Sequence, residues 1–293
     1  MGVTHIRAAG EMRPLVLVLA AVGCLALFAP SYAAVAFYVN TTGVDGGEAP
    51  CETSAAPCSS LSVAVAAARS VWEQSNGTVV STIAMAPGPF LTTAITVDFP
   101  VTVVGGVSAW RLFMSNGTSL TTPTNETVLT CGSEPSPLLT VLPPAGSASV
   151  SQLTVQRCRY GVLLVNGTGA VASIDNTGFT DNAAPVGDST WSGSVGAVIT
   201  ATRGGSAWLN GGWVRDTTGS SPGGGVAVVT AGAFLSMANV RVSNSTGSAC
   251  GGVVTSHDAT ASLVGCSVTD VAAQQVRLPP CRLLLAPGVT RSP

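Results

Sequence analysis

From Val150 onward the chain repeats one arrangement of apolar and polar positions. An apolar residue is followed five places later by a second and, two places after that, by Asp or Asn. The copies are Ile174–Phe179–Asp181, Leu209–Val214–Asp216, Met237–Val242–Asn244 and Leu263–Val268–Asp270, with Val150–Val155–Arg157 as a variant ending in Arg. The third slot holds Gln152, Asn176, Gly211, Asn239 and Gly265, and successive copies begin 24 to 35 residues apart. Two further short apolar runs accompany the unit. One contains Val162 to Val165, Ala197 to Ile199, Val226 to Val229 and Val253 to Val254; the other begins at Ala170, Ala207, Ala233 and Ala259.

Each period therefore predicts three short strands, separated by Gly, Asn or Asp corners, the residues that reach left-handed backbone angles most easily. In a straight strand, residues five apart face opposite sides. A bend between them returns both to one interior. Three strands and three bends per period describe a right-handed parallel β-helix whose coils stack about 4.8 Å apart. One coil cannot bury its own apolar face, but stacked coils share a core. A sandwich or propeller would instead join its strands by hairpins at roughly 8–12-residue spacing. The segment from Asn182 to Ser194 is expected to project from the stack as a loop.

The first half fits the same architecture. Phe37-Tyr38-Val39 predicts a strand. Ser59 or Ser60 can cap a helix from Leu61 to Gln74, within a cap region 59–74, whose apolar stripe is Leu61, Ala64, Val65, Ala68, Val71 and Trp72. That stripe serves either a partner or, as solenoids require, the closure of an open end. Strands are predicted over Thr78–Ala86, Ala94–Val97 and Val101–Gly106, with a turn at Pro87-Gly88-Pro89 and a long loop from Ser108 to Thr127. The solenoid should span 37–271. Residues 272–293, with Pro279, Pro280 and Pro287, read as an irregular tail, so the chain could be a fragment of a longer surface protein.

The Tyr38-Val39 strand, the Cys51/Cys58 loop, the cap helix and the Pro87-Gly88 turn resemble secreted β-helix proteins of the pectin-lyase-like superfamily. The coils are similar to those of chlamydial polymorphic outer-membrane proteins, whose repeats read GGA[ILV] and FxxN. Phe179-Thr180-Asp181-Asn182 matches FxxN, and Gly196-Ala197-Val198-Ile199 matches GA[ILV] after Val195. Gly224-Gly225-Val226 and Gly251-Gly252-Val253 carry the paired glycines with Val for Ala. The resemblance implies a β-helix and a surface or adhesive role. The superfamily also contains pectate lyases and polygalacturonases. This resemblance implies Ca²⁺-binding aspartates with a basic catalytic residue, or clustered aspartates with Gly-His-Asp and Arg-x-Lys motifs.

Composition sharpens the choice. Only 9% of the 293 residues are charged, against 46% hydrophobic, and all twelve basic residues are Arg. With a net charge of −2, there is no basic stripe for nucleic acid. Coiled coil and charge-driven disorder are excluded on the same ground. The apolar run Leu15–Ala29, preceded by Arg7 and Arg13, falls short of the ~20 residues of a membrane span and reads as a signal peptide over 1–36. Cleavage is expected after Ala33 or Ala36, leaving no membrane span in the mature chain and an extracellular or cell-surface protein. Seven cysteines then remain. Cys51–Cys58 is the expected bridge; Cys131–Cys158 and Cys250–Cys266 become neighbours if successive coils stack, with Cys281 left over, and sequence alone leaves the connectivity open. Six sequons, at Asn40, Asn76, Asn116, Asn125, Asn166 and Asn244, mark candidate glycosylation positions.

Catalytic chemistry has few candidates. Lys is absent, Asp residues are never adjacent, and His257, the only histidine after the signal region, lacks a preceding Gly. Asp181 and Asp216 should stand one coil apart, near the ~5–5.5 Å of a retaining carboxylate pair. They read either as an acid/base or Ca²⁺-binding pair or as corner residues bonding backbone amides coil after coil. The recurrence of Asp181, Asp216, Asn244 and Asp270 favours the second reading. The His257–Asp258 pair reads the same way at its own corner. No cofactor or metal is called for. Trp191, in the longest loop, is the aromatic best placed to meet a sugar or partner. The expectation is a non-catalytic recognition or adhesion surface for glycans or cell-surface proteins; the alternative is a polysaccharide lyase or glycoside hydrolase.

Overall fold

The structure is a computed structural model. It describes residues 33–43, 51–52, 56–106, 126–184, 195–219, 224–247, 253–273 and 290–291. Residues 1–32 of the expected signal peptide, together with Trp191, Asn116, Asn125, Cys250 and Cys281, lie outside these residues.

Strand β1 (Ala33–Val39) and helix α1 (Leu61–Gln74) precede a regular series of three strands per coil. The first coil is β2 (Val79–Met85), β3 (Gly88–Thr92) and β4 (Ile95–Val97). The second is β5 (Pro100–Val104), β6 (Thr127–Cys131) and β7 (Leu139–Val141); the third is β8 (Ser147–Ser151), β9 (Thr154–Gln156) and β10 (Leu163–Asn166). The fourth is β11 (Val171–Asp175), β12 (Gly178–Thr180) and β13 (Ile199–Thr202). The fifth is β14 (Ser206–Asn210), β15 (Trp213–Thr218) and β16 (Ala227–Thr230). The sixth is β17 (Phe234–Ala238), β18 (Arg241–Gly247) and β19 (Val254–His257). Strands β20 (Thr260–Val264), β21 (Ser267–Ala273) and β22 (Thr290–Arg291) follow.

Each strand pairs with its counterpart one coil away, giving three sheets. The first runs β1-β2-β5-β8-β11-β14-β17-β20, the second β3-β6-β9-β12-β15-β18-β21-β22, and the third β4-β7-β10-β13-β16-β19. The fold is a right-handed parallel β-helix.

The sequence unit maps onto this lattice position by position. Its leading apolar residue lies in the first sheet, where Val150, Ile174, Leu209, Met237 and Leu263 are in register. Its second lies in the next sheet, where Val155, Phe179, Val214, Val242 and Val268 are in register. Between them the third-slot residues Gln152, Asn176, Gly211, Asn239 and Gly265 all have left-handed φ, from 47° to 68°. This is the bend that lets residues five apart share one interior. The Asn side chains use the space that the Gly corners leave, Asn176 Oδ1 lying against Gly211 and Asn239 Oδ1 against Gly265.

The third sheet completes the lumen with Val97, Val141, Val165, Ala201 and Val229, a fully buried column one residue deep per coil. Small and branched side chains suit this site, because stacked identical positions must fit a spacing of about 4.8 Å.

Helix α1 closes the N-terminal end. Ser60, of the two serines considered, is the N-cap, its Oγ accepting from Val63 N at 3.3 Å. Leu61, Ala64, Val65 and Ala68 are buried, and Val71 and Trp72 pack against the same core. Arg69 ties the helix to the first coil: its Nη2 donates to Thr96 O at 3.0 Å and meets Asp98 Oδ1 at 2.8 Å, and its guanidinium lies over the Phe99 ring. That ion pair is partly solvated and contributes about 0–1 kcal/mol; the apolar stripe holds the cap.

Two elements differ from expectation. Pro87-Gly88-Pro89 was read as a turn, but Gly88 opens strand β3, in which Phe90 and Thr92 point inward and Leu91 outward. Gly88 has φ 135°, so the corner is made within one residue. At the other end, within the segment expected to be irregular, Thr290–Arg291 pairs in parallel with Ser267–Val268. The last coil otherwise leaves a strand edge open, which attracts a further segment.

Candidate functional site

The lattice settles the placement of the carboxylate column. Thr180 pairs with Arg215, Arg215 with Ser243 and Ser243 with Thr269, so the residues that follow them, Asp181, Asp216, Asn244 and Asp270, recur once per coil. All four have left-handed φ between 46° and 53°, and all four are exposed. Within the column, Asn244 Nδ2 donates to Asp216 Oδ1 at 2.6 Å. Arg215 Nε lies 3.8 Å from Asp216 Oδ2. The column is thus an outer corner ladder in water. Among the described residues, no apolar wall encloses Asp181 and Asp216, both of which are exposed.

His257 and Asp258 face each other at 3.5 Å, but their side chains are 80% and 86% exposed. Asp258 also occupies a left-handed corner, and its carbonyl accepts from Gly232 N in the preceding coil. Among the described residues no three His, Cys, Asp or Glu side chains gather closely enough to hold a metal ion. The cavity within the lumen beneath α1 is lined by apolar residues such as Leu61, Val103, Leu163 and Phe179, with Thr177 beside them.

Among the buried polar side chains, Asn182, the last position of Phe179-Thr180-Asp181-Asn182, braces a corner. It is 1% exposed. Its Oδ1 accepts from Cys158 N at 3.0 Å and its Nδ2 donates to Val155 O at 3.1 Å, bracing the corner of the coil beneath. Thr217 and Ser245 follow it in later coils, Thr217 Oγ1 donating to Ser245 Oγ at 2.8 Å. The sequence reading placed Asn182 at the start of a projecting loop; the FxxN spacing was the signal for its inward role.

Cys51–Cys58 and Cys131–Cys158 are bonded, with Cα atoms 4.7 and 4.9 Å apart. The second bridge links adjacent coils. Cys266 is a buried free thiol whose Sγ lies 3.5 Å from Met237 O, so the candidate bridge to Cys250 is not among the bonded pairs. Of the described sequons, Asn76 and Asn244 are exposed, while Asn40 and Asn166 are half-buried.

Two tryptophans stand on the outside. Trp213 lies across Gly178 of the preceding coil, where a Cβ would collide with its ring, and Arg215 stacks over it at 4.6 Å. Trp208 is exposed on the first sheet, its ring centroid 5.7 Å from that of Phe234.

Comparison with protein-family models, with curated proteins and with solved structures finds no match to this chain. Among the described residues, no helix is long and apolar enough to cross a membrane.

Proposed function

We propose that this chain is a non-catalytic extracellular or cell-surface β-helix protein whose outer faces act as a recognition or adhesion surface. The observation that carries the reading is the fate of the carboxylates. Asp216 is exposed and accepts a hydrogen bond from Asn244 of the next coil, as a corner ladder residue does. A hydrophobic lumen with a thinly charged exterior supports the same reading, because a rigid stack presents side chains at fixed spacings without needing a reactive centre.

The resemblance of the coils to those of polymorphic outer-membrane proteins, within the pectin-lyase-like superfamily, points the same way. Export through the N-terminal apolar segment is part of the proposal, with glycans or cell-surface proteins as partners. Cleavage after Ala33 would leave β1 almost whole; cleavage after Ala36 would remove its first four residues, including Val35 and Ala36, which pack on core clusters. The first site therefore suits the fold better.

The rival reading, a polysaccharide lyase or glycoside hydrolase, rests on the one-coil spacing of Asp181 and Asp216, about 4.8 Å between strands, close to that of retaining carboxylate pairs. The full chain, secreted through its own leader, should bind cells or immobilised glycans and release no product from polygalacturonate or a broad panel of other polysaccharides. Turnover that disappears in Asp216→Ala would overturn the proposal in favour of the enzyme.

A further inference from the structure

The outer face of the first sheet is built mainly from short side chains, and an aromatic pair on β14 and β17 breaks the pattern. Along β14, Ala207 and Leu209 point into the lumen while Ser206, Trp208 and Asn210 point out. Trp208 is 38% exposed because its in-register neighbours, Ser173 on β11 and Ser236 on β17, are too short to cover an indole. Phe234 backs it from one side, the two rings tilted by 52°.

Beside the indole stands a carboxylate of fixed orientation. Asp175 is in register with Asn210, which lies two residues beyond Trp208 on the same face. Asn210 Nδ2 donates to Asp175 Oδ1 at 3.2 Å, and Ser173 Oγ donates to Oδ2 at 3.2 Å. A carboxylate can accept about four hydrogen bonds, so each oxygen retains accepting capacity toward a ligand. The indole and the carboxylate are separated by about one strand spacing laterally and two residues lengthwise, roughly 5 and 7 Å, the scale of a single hexose ring.

We propose that Trp208, Asp175 and Asn210 form a subsite for a neutral saccharide; the inference rests on the recognition-surface reading above. The C–H face of a pyranose ring lies on the indole, one hydroxyl donates to Asp175, and a neighbouring hydroxyl accepts from Asn210 through the N–H not used by Asp175. Charge selects the class of sugar. Strands β8, β11, β14, β17 and β20 contain no Arg, Lys or His, and Asp175 is their single charged residue. Uronates and sulfated sugars would meet an uncompensated negative charge; neutral hexoses and N-acetylhexosamines would not.

The test uses the full secreted chain against paired arrays of neutral oligosaccharides and their uronate or sulfated counterparts, followed by titration of the best neutral ligand. Binding of a neutral oligosaccharide is expected, with a change in tryptophan emission that is absent in Trp208→Phe. Trp208→Ala should weaken binding about tenfold or more, the scale of a lost aromatic contact and its buried area. Asp175→Asn should weaken it several-fold, and Leu91→Ser, on another sheet, should leave it unchanged. Equal thermal stability of all variants confirms that the losses are local. Preference for acidic glycans, or equal affinity of Trp208→Ala and wild type, overturns the subsite while leaving the recognition surface standing. A wild-type chain that binds neither cells nor any glycan overturns both.

Discussion

Asn182→Leu is expected to destabilise the chain by about 1–3 kcal/mol, because it leaves the buried Cys158 N–H without the acceptor that Asn182 supplies. Val155 C=O loses the Asn182 donor but lies in the β9–β12 ladder. Leu keeps the branching and heavy-atom count of Asn, so the loss reports chiefly the missing hydrogen bonds. The comparison is Asp181→Asn, one residue earlier in the same motif. Asp181 is exposed and needs only a left-handed backbone, which Asn adopts readily, so its effect should stay within about 0.5 kcal/mol. Thermal unfolding followed by circular dichroism measures both. Equal melting temperatures for the two variants would show that Asn182 is not the brace the geometry makes it.

Phe179→Ala should cost about 3–5 kcal/mol, the range for removing a buried aromatic ring. Phe179 is fully buried, and it stands between Val155 and Val214 in the adjacent coils. It also borders the cavity in the lumen, so deletion of the ring enlarges an existing void instead of being repaired by collapse. At roughly 2–4 °C per kcal/mol for a chain near this size, the melting temperature should fall by about 6–20 °C. Phe179→Leu, which fills most of the space, should recover most of that loss. A Phe179→Ala chain that melts with wild type would mean that the ring does not sit in the stack's interior.

Much of this fold was legible because the corners impose a chemical requirement. A bend through left-handed φ favours Gly, Asn or Asp, so Asn176, Gly211, Asn239 and Gly265 mark the same corner, coil after coil. Register followed, since the apolar residues on either side of the corner must both face inward. The cap helix was equally legible from Ser60 and the stripe beginning at Leu61. Strand β3 was not, because Pro and Gly read as turn signals, whereas here Gly88 makes the corner and Pro89 falls inside a strand whose neighbour on that side is β6.

For the site, the recurrence of Asp181, Asp216, Asn244 and Asp270 in the sequence corresponds to one register position per coil. Trp208 was missed although its alternation was visible: Ser206, Trp208 and Asn210 take one face while Ala207 and Leu209 take the other. Its exposure depends on Ser173 and Ser236, which are 35 and 28 residues away in sequence and become neighbours only through coil stacking. Asp175 and Asn210 likewise meet only across a coil boundary.

Every site placement depends on that stacking, and spin-label distances along one column test it most directly. Thr102, Ser149, Ser173, Ser236 and Ser262 occupy one row across the first sheet, with Trp208 between Ser173 and Ser236. Label pairs on Ser149 and Ser262, four coils apart, should read about 19 Å, and pairs on Thr102 and Ser262 about 24 Å, increasing by roughly 4.8 Å for every coil crossed. Distances that fail to grow coil by coil, as in a sandwich or propeller, would contradict the parallel stack and every site assignment built on it.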